Sequence, residues 1–167
     1  MHTAARLLVA LCIAALAFGA FSGIAAAQTA ADGQFVIELD GDGDGDAVFI
    51  EEFDLANADD RELFEAAAES TERRTLAGDL FRQEMQLISE EASGDIDLDL
   101  RVGEVTIEMT VDGETGIVAY GFRWENLARV DGDRVVLSEP FSAYERLDRE
   151  LVVHAPEGYE LTSVSPD

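Results

Sequence analysis

An Asp/Gly run in the first third of the chain has the spacing of a calcium-binding loop. The pattern D-x-D-x-D-G-x5-E begins at Asp40 and ends at Glu51. In this pattern, three carboxylates, a sharp glycine turn and a bidentate glutamate surround one calcium ion. The candidate metal ligands are Asp40, Asp42, Asp44, Asp46 and Glu51.

The flanking sequence favours a different structure for the same run. A loop of this kind normally joins two helices. Here Phe35–Leu39 alternates like a strand, and Ala47–Leu55 is rich in β-branched and aromatic residues. Asp-Gly pairs are also common turn formers. We therefore predict an acidic hairpin tip, with an exposed calcium loop as the alternative.

Other catalytic or cofactor-binding patterns are missing from the sequence. His154 is the only histidine beyond residue 27, and no G-x-S-x-G motif marks a nucleophilic serine. Arg123 and Glu125 flank Trp124 on a predicted strand, which indicates a cross-strand ion pair rather than a ligand contact. The sequence predicts no enzyme, no catalytic residues and no cofactor, with calcium as the alternative and a hydrolase as a third function class.

The charge of the chain restricts its partners. The 167 residues include 36 Asp+Glu and 11 Lys+Arg, which gives a net charge of −25. All 11 basic residues are arginine, and 47% of the chain is hydrophobic. That apolar share separates the chain from acidic disordered proteins. Nucleic acid and anionic membrane surfaces would be repelled. Acidity spread over the chain beyond residue 27 predicts a halophilic protein, because concentrated salt screens its self-repulsion.

The N-terminus has the pattern of an export signal. Arg6 precedes an apolar stretch at Leu7–Ile24, and Ala25–Ala27 supplies small residues for cleavage. We predict a signal peptide over 1–27, a leader over 28–33 and a single exported domain over 34–167. An uncleaved N-terminal anchor using residues 7–24 is the alternative. The expected location is extracytoplasmic, either secreted or at the cell surface.

Hydrophobic periodicity predicts two helices after the first hairpin. Asn57 or Asp59 can cap the first helix, and Glu62 follows Asp59 at capping-box spacing. A longer helix is predicted over Thr71–Glu91. Its apolar positions are Leu76, Ala77, Leu80, Phe81, Met85 and Ile88.

The remainder of the chain has the alternation of strands. The phase of the alternation changes at Gly103, between a predicted strand over Ile96–Val102 and the next strand, which predicts a bulge or tight turn there. Asp112-Gly113 predicts a hairpin whose second strand carries the candidate core residues. These are Val118, Tyr120, Phe122 and Trp124. Later elements are a turn at Asp131-Gly132, strands at Val135–Leu137 and Leu151–His154, a crossover at Pro140–Leu147 and a turn at Pro156–Tyr159.

These elements predict an α+β fold that is mainly antiparallel sheet. The sheet would form a sandwich or half-barrel with one or two helices packed on it, preceded by the signal peptide.

Several segments resemble a known family. These are Gly116–Ala128, with its pattern Y-x-F-x-W-x-N-x-A, then Gly132–Leu137 and Phe141, and Arg149–Tyr159, which ends in P-E-G-Y. Asp44–Ala47 and Phe64-Glu65 fit the same pattern. Together they resemble the extracytoplasmic domain of haloarchaeal membrane-bound helix-turn-helix transcriptional regulators.

The resemblance implies a sensor-like domain without transferable catalytic residues. In the family, such a domain is followed by a membrane helix and a cytoplasmic winged helix, and we expect this chain to be the domain without them. The leading hypothesis is a non-catalytic exported sensor or interaction domain, which is either a stand-alone exported relative or the outer part of a truncated membrane regulator. Its partner is an unknown ligand or protein, which loops such as Ser138–Leu147 would contact. Membrane contact would come only through residues 7–24 or through the missing C-terminal helix.

Overall fold

The structure is a computed structural model that describes residues 34–96, 98–138, 151–160 and 162. The predicted signal peptide over 1–27, the leader over 28–33 and the crossover at Pro140–Leu147 lie outside the described residues. The described strands are β1 (Phe35–Leu39), β2 (Gly45–Asp54), β3 (Arg101–Val102), β4 (Thr106–Asp112), β5 (Thr115–Glu125), β6 (Ala128–Asp131), β7 (Arg134–Leu137) and β8 (Leu151–His154). The described helices are α1 (Ala58–Ala68) and α2 (Thr71–Ile96).

Six of the strands form one sheet in the order β3-β5-β2-β1-β8, and β4 pairs with the same edge of β5 as β3. All neighbours are antiparallel except β1 and β8, which run parallel. Strands β6 and β7 form a separate hairpin. The predicted α+β fold with a dominant antiparallel sheet is confirmed, as is the hairpin of β1 and β2.

The predicted irregularity at Gly103 is a β-bulge. Val102 lies opposite Trp124 and Thr106 lies opposite Gly121, so three residues of the edge face two residues of β5. The Gly103 N–H donates to the Arg123 carbonyl at 2.8 Å. One extra residue shifts the alternation by one position, which is how both halves of this edge keep their apolar side chains on one face.

The predicted strand over Ile96–Val102 is wrong at Ile96 and at residues 98–100. Helix α2 continues past Glu91 to Ile96, and of the described residues in this segment only Arg101–Val102 is strand. The helix continues because Ala92 packs into the core, so its buried face extends beyond the predicted end. The Leu100 N–H then donates to Ser93 Oγ at 3.2 Å instead of to a neighbouring strand.

The cap of α1 is Asn57, one of the two predicted residues. Its side chain accepts a hydrogen bond from the Asp59 N–H at 2.9 Å. Asp59, the other candidate, lies in the first turn, where its negative charge is favourable for the helix dipole.

The core lies between one face of the sheet and α2. The aromatic row of β5 is confirmed as its centre, since Phe122 and Trp124 are completely buried. Phe35 stacks on Phe122 with ring centroids 6.2 Å apart, and Phe81 of α2 stacks on Tyr120 at 4.7 Å. The helix thus contributes an aromatic side chain directly to the row from β5.

The apolar face predicted for α2 is partly wrong, because Leu76 and Leu80 are exposed. Met85 is buried, and Leu76 precedes it by nine residues, which places the two on opposite sides of a helix with 3.6 residues per turn. The apolar residues predicted for α2 recur every three to five residues, and this spacing includes residues from both the buried face and the exposed face of the helix. Among the positions of α2 whose burial the structure describes, Gly78, Met85, Ser89 and Ala92 are buried.

Candidate functional site

The loop between β1 and β2 is organised by the side chain of Asp40. Its Oδ1 accepts hydrogen bonds from the N–H groups of Asp42 and Asp44, at 2.9 and 3.2 Å. The Asp40 N–H donates to the Asp44 carbonyl at 2.9 Å, which closes the base of the loop. An aspartate at the start of a turn commonly bonds to the backbone in this way.

Gly43 attaches the tip of this loop to strand β6. The Gly43 carbonyl accepts from the Ala128 N–H at 2.7 Å. A Cβ on Gly43 would lie 2.4 Å from the Ala128 carbonyl oxygen, and the Gly43 φ of +89° is in the region that L side chains rarely adopt. Glycine is therefore required at this position for two independent reasons.

Arg123 of β5 provides the positive charge for the acidic loop. It lies opposite Asp46 in the register of β2 and β5, and its Nη1 donates to Asp46 Oδ1 at 3.1 Å. Its Nη2 donates to Asp44 Oδ2 at 3.0 Å and also to Asp40. One planar guanidinium therefore binds three carboxylates, which is a geometry that arginine supports and lysine does not.

The charges in this cluster stabilise each other. Partial burial acts to raise the pKa of Asp40, but the hydrogen bonds from Arg123, Asp42 and Asp44 outweigh it and hold that pKa below its ordinary value of 3.8. The pKa of Arg123 is raised, first by its hydrogen bond to Asp40 and also by Asp46. Both groups are therefore charged at neutral pH.

Asn126 connects the same cluster to a neighbouring segment. Its backbone N–H donates to Asp44 Oδ1 at 2.8 Å, and its Nδ2 donates to the Asp99 carbonyl at 3.0 Å. The φ of Asn126 is +56°, which asparagine tolerates better than most residues. This turn after β5 therefore occupies the second oxygen of the Asp44 carboxylate.

The structure brings together three of the five predicted metal ligands and separates the other two. Asp40, Asp44 and Asp46 surround Arg123, whereas Asp42 contributes its backbone N–H to the loop. Glu51 lies five residues beyond Asp46 on β2, on the opposite face of the sheet and opposite Val118. Among the described residues, no group of three or more His, Cys, Asp or Glu could hold a metal ion. Calcium binding stays a prediction.

The sequence indicated an ion pair for Arg123 but not its partners. The signal that could have identified them is the register of β2 on β5, because pairing the two aromatic-rich strands places position 46 beside position 123. The participation of Asp40 and Asp44 has no such signal, because it depends on how the loop curls over the sheet.

An apolar cleft of about 260 Å³ lies between the two helices and the sheet, away from the acidic loop. Its lining comes from β2, β4 and β5 on the sheet side and from α1 and α2 on the other. The lining residues are Phe53, Leu63, Phe64, Ala67, Arg74, Ala77, Ile107, Met109, Val118 and Tyr120. The sequence analysis did not predict this cleft, because its walls come from five separate elements.

The one charged side chain in the cleft uses its charge elsewhere. The Arg74 guanidinium donates to the carbonyls of Ala67, at 3.1 Å, and Ala68, and to Thr71 Oγ1 at 3.1 Å. It therefore stabilises the C-terminal end of α1, where the free carbonyls carry partial negative charge. The aliphatic stem of Arg74 is left to line the cleft.

Gly116 of β5 permits helix α1 to approach the sheet beside the cleft. A Cβ at this position would lie 2.7 Å from Cδ2 of Phe64 and 3.0 Å from Leu55. Phe64 is the buried residue of α1 and also packs near Phe53, with ring centroids 5.9 Å apart. The wall of the cleft formed by α1 is therefore positioned by direct packing on the sheet.

No helix within the described residues is long and apolar enough to cross a membrane.

Comparison with known proteins gives a family but no characterised relative. No curated protein and no solved structure matches the chain. Residues 36–159 match the family described as a domain of unknown function, DUF7345, and this match covers every described strand from β2 to β8 and both helices. The chain therefore belongs to the DUF7345 family.

Proposed function

We propose that this protein is a non-catalytic exported sensor or interaction domain that binds a small uncharged apolar molecule. The observation that carries the proposal is the cleft between the helices and the sheet. Its walls are aliphatic and aromatic, and the charge of Arg74 is engaged with α1. Binding sites for small molecules are typically concave and mostly apolar, with few polar groups.

The acidic loop is a weaker candidate for the ligand site. Asp40, Asp44 and Asp46 already bind Arg123, and Asp44 also accepts from Asn126. A ligand would have to displace these hydrogen bonds, each of which involves a charged group. The cleft imposes no such cost, since its surface has few polar atoms to desolvate.

The size of the cleft suggests the class of ligand. An apolar cavity of about 150 Å³ in another protein holds one benzene molecule. At about 260 Å³, this cleft fits a molecule of one to two rings or a short branched hydrocarbon. The resemblance to the outer domain of haloarchaeal membrane regulators supports a sensory role, and the apolar stretch at Leu7–Ile24 supports export.

Binding of the neutral two-ring fluorescent probe 1-naphthylamine tests the proposal. We expect saturable fluorescence enhancement in molar salt for the wild-type protein. Ala67→Leu fills the cleft and should weaken binding by at least tenfold. Ala68→Leu adds the same atoms at the next position of α1, where the side chain is exposed, and should bind like the wild type.

The two variants also define the result that would refute the proposal. Equal probe affinity in Ala67→Leu and Ala68→Leu, with both proteins folded by circular dichroism, would show that the probe binds elsewhere. The absence of any saturable binding by the wild-type protein would reject the cleft as a site for this class of ligand.

A further inference from the structure

The hydroxyl of Tyr120 is a polar group of the cleft that the domain itself does not use. Tyr120 lines the cleft from β5. Phe81 stacks on one face of its ring with the centroids 4.7 Å apart, so the cleft is bordered by the remaining face, the edge and the hydroxyl. Among the described residues the hydroxyl makes no hydrogen bond, in contrast to the guanidinium of Arg74.

The Tyr120 hydroxyl can be reached from outside the protein. Within the described part of the chain, every fully buried side-chain nitrogen or oxygen has a hydrogen-bond partner. The oxygen of Tyr120 has none and is therefore not enclosed in the core. Burial, and after it the charge of Glu51, raises the pKa of Tyr120 above its ordinary value of 10.0. The hydroxyl is therefore protonated at neutral pH and can donate a hydrogen bond.

Glu51 places a negative charge beside the same part of the cleft. On β2 it lies opposite Val118 and two residues before Phe53, and both of these residues line the cleft. Paired and alternate residues share one face of a sheet, so the Glu51 side chain is on the helix side, as Tyr120 is. Glu51 is half-buried and, in the described ranges, forms no hydrogen bond or ion pair.

A ligand that fills the cleft displaces water from the Tyr120 hydroxyl. If the ligand were a pure hydrocarbon, this donor would be left without a partner, and a buried unpaired donor lowers affinity. A ligand with an oxygen at this point restores the hydrogen bond that water provided. Sites with such a donor discriminate against analogues that lack the acceptor.

The apolar walls and Glu51 both disfavour a charged acceptor. Transfer of an ion from water to apolar surroundings costs much more than transfer of a neutral oxygen. A carboxylate near Tyr120 would also bring a second negative charge next to Glu51, and like charges repel strongly where water is excluded. Arg74 offers little compensation, since its Nη1 and Nη2 atoms donate to carbonyls of α1 and to Thr71.

We propose that the ligand of the cleft is an apolar molecule with one neutral oxygen, as in an alcohol, a phenol or a ketone, and that this oxygen accepts a hydrogen bond from Tyr120. The inference rests on the proposed function, which assigns an uncharged apolar ligand to the cleft. Tyr120 and Glu51 then determine specificity together. Tyr120 favours the oxygen over a hydrocarbon, and Glu51 disfavours the corresponding acid.

Equilibrium dialysis of the full chain in molar salt tests the proposal with three compounds that share one ring system. They are 2-methylnaphthalene without oxygen, 2-naphthol with a neutral oxygen and 2-naphthoate with a carboxylate. We expect Tyr120→Phe to weaken binding of 2-naphthol by about fivefold, as for one ordinary hydrogen bond, and to leave binding of 2-methylnaphthalene unchanged. Tyr159→Phe removes an exposed hydroxyl away from the cleft and should change neither affinity.

The affinity for 2-naphthoate tests the discrimination against acids. We expect the wild-type protein to bind 2-naphthoate about tenfold more weakly than 2-naphthol. Glu51→Gln should strengthen binding of 2-naphthoate by about threefold. Glu108→Gln is the control, because it removes the same charge from an exposed position of β4 on the other face of the sheet. It should leave all three affinities unchanged.

The possible results separate this inference from the proposed function, provided that circular dichroism shows the variants to be folded. Equal effects of Tyr120→Phe on 2-naphthol and 2-methylnaphthalene would overturn the inference while keeping the cleft as a binding site. Wild-type protein that binds 2-naphthoate as tightly as 2-naphthol would overturn it as well. An unchanged affinity for 2-naphthoate in Glu51→Gln would contradict the role of Glu51. If none of the three compounds binds, the proposed function fails and this inference fails with it.

Discussion

The indole N–H of Trp124 donates to the hydroxyl of Ser89 across 3.0 Å. Both residues lie in the core and are completely buried. The Ser89 hydroxyl in turn donates to the Met85 carbonyl at 2.8 Å. This chain of two hydrogen bonds joins β5 to α2 at the centre of the domain. It also explains how a serine can lie in the interior, because its oxygen is both donor and acceptor.

Replacing Ser89 by alanine should destabilise the domain by about 1–3 kcal/mol, because the buried Trp124 N–H loses its partner. Thr75→Ala is the matched control, since Thr75 Oγ1 also donates to the carbonyl four residues earlier but is exposed on α2. It should change the free energy of unfolding by less than about 0.5 kcal/mol. Denaturant titrations followed by the fluorescence of the single tryptophan measure both values. Equal effects of the two substitutions would contradict the role assigned to Ser89.

Arg123→Gln should leave three carboxylates facing each other without their shared cation. Because the cluster is only partly buried, we expect a loss of about 1–2 kcal/mol of stability. Arg101→Gln is the control, since its pair with Asp99 is largely exposed and should contribute little. Both are measured by denaturant unfolding in molar salt.

Removal of Arg123 should also create sensitivity to calcium. In Arg123→Gln the carboxylates of Asp40, Asp44 and Asp46 lose the cation that fixes their positions, and a rearrangement that draws them together would form a site for a divalent cation. Calcium at ten times its dissociation constant would restore about 1.4 kcal/mol. The wild-type protein should show no such gain, because Arg123 already occupies the position. Stabilisation of the wild-type protein by millimolar calcium would favour the calcium-loop alternative instead.

The stability contributed by Asp40 should depend on pH in the acid range. Its pKa is lower in the folded state than the ordinary value of 3.8. Its contribution is therefore fully present above pH 3.8 and is lost as the pH falls through the lowered folded-state pKa. We expect Asp40→Asn to cost about 1 kcal/mol at neutral pH and progressively less below pH 3.8. A difference that stays constant down to pH 2 would show that the carboxylate charge is not what matters.

Asp42→Asn is the control for this pH dependence. Among the described residues, Asp42 is not an ion-pair partner of Arg123 and contributes its backbone N–H to the loop. Its substitution should have a small effect on unfolding at every pH. The comparison separates one ion-paired carboxylate from the general effect of removing a negative charge from an acidic protein.

Gly43→Ala should be clearly more destabilising than Gly113→Ala. Both glycines have positive φ, so each alanine costs about 1–2 kcal/mol in backbone strain. Only at Gly43 would the added Cβ also meet a backbone oxygen, whereas a Cβ at Gly113 meets nothing within 4 Å. Thermal unfolding of the two variants measures the difference. Similar melting temperatures would mean that the loop can move away from β6 at little cost.

The sequence was most informative where one residue type leaves a single structural option. The Asp112-Gly113 turn is present, with φ +61° at Gly113, and so is the shift of alternation at Gly103. The aromatic row of β5 is buried as predicted, because alternation on a strand has only two faces. These features depend on residues that are close together in the sequence, so local patterns were sufficient to predict them.

Predictions failed where distant segments decide the outcome. Leu76 and Leu80 are as apolar as the residues of the core, and only the packing of α2 on the sheet shows that their face of the helix is exposed. The cleft and the three partners of Arg123 likewise depend on elements far apart in the chain. Local patterns carry no information on such contacts, since they arise from tertiary packing.

The parallel pairing of β1 and β8 has a mechanical consequence. Phe35 is paired with Leu151 and Glu38 with His154, so the chain enters β1 at one end of this strand pair and leaves β8 at the other. A pulling force applied at Gln34 and Ala155 would therefore shear the two strands along their length. All the hydrogen bonds between them would share that force, instead of breaking one after another as in a hairpin pulled open from its free ends. Tension applied through β1 and β8, the first and last strands that the structure describes, would therefore be carried along these strands without pulling the core open.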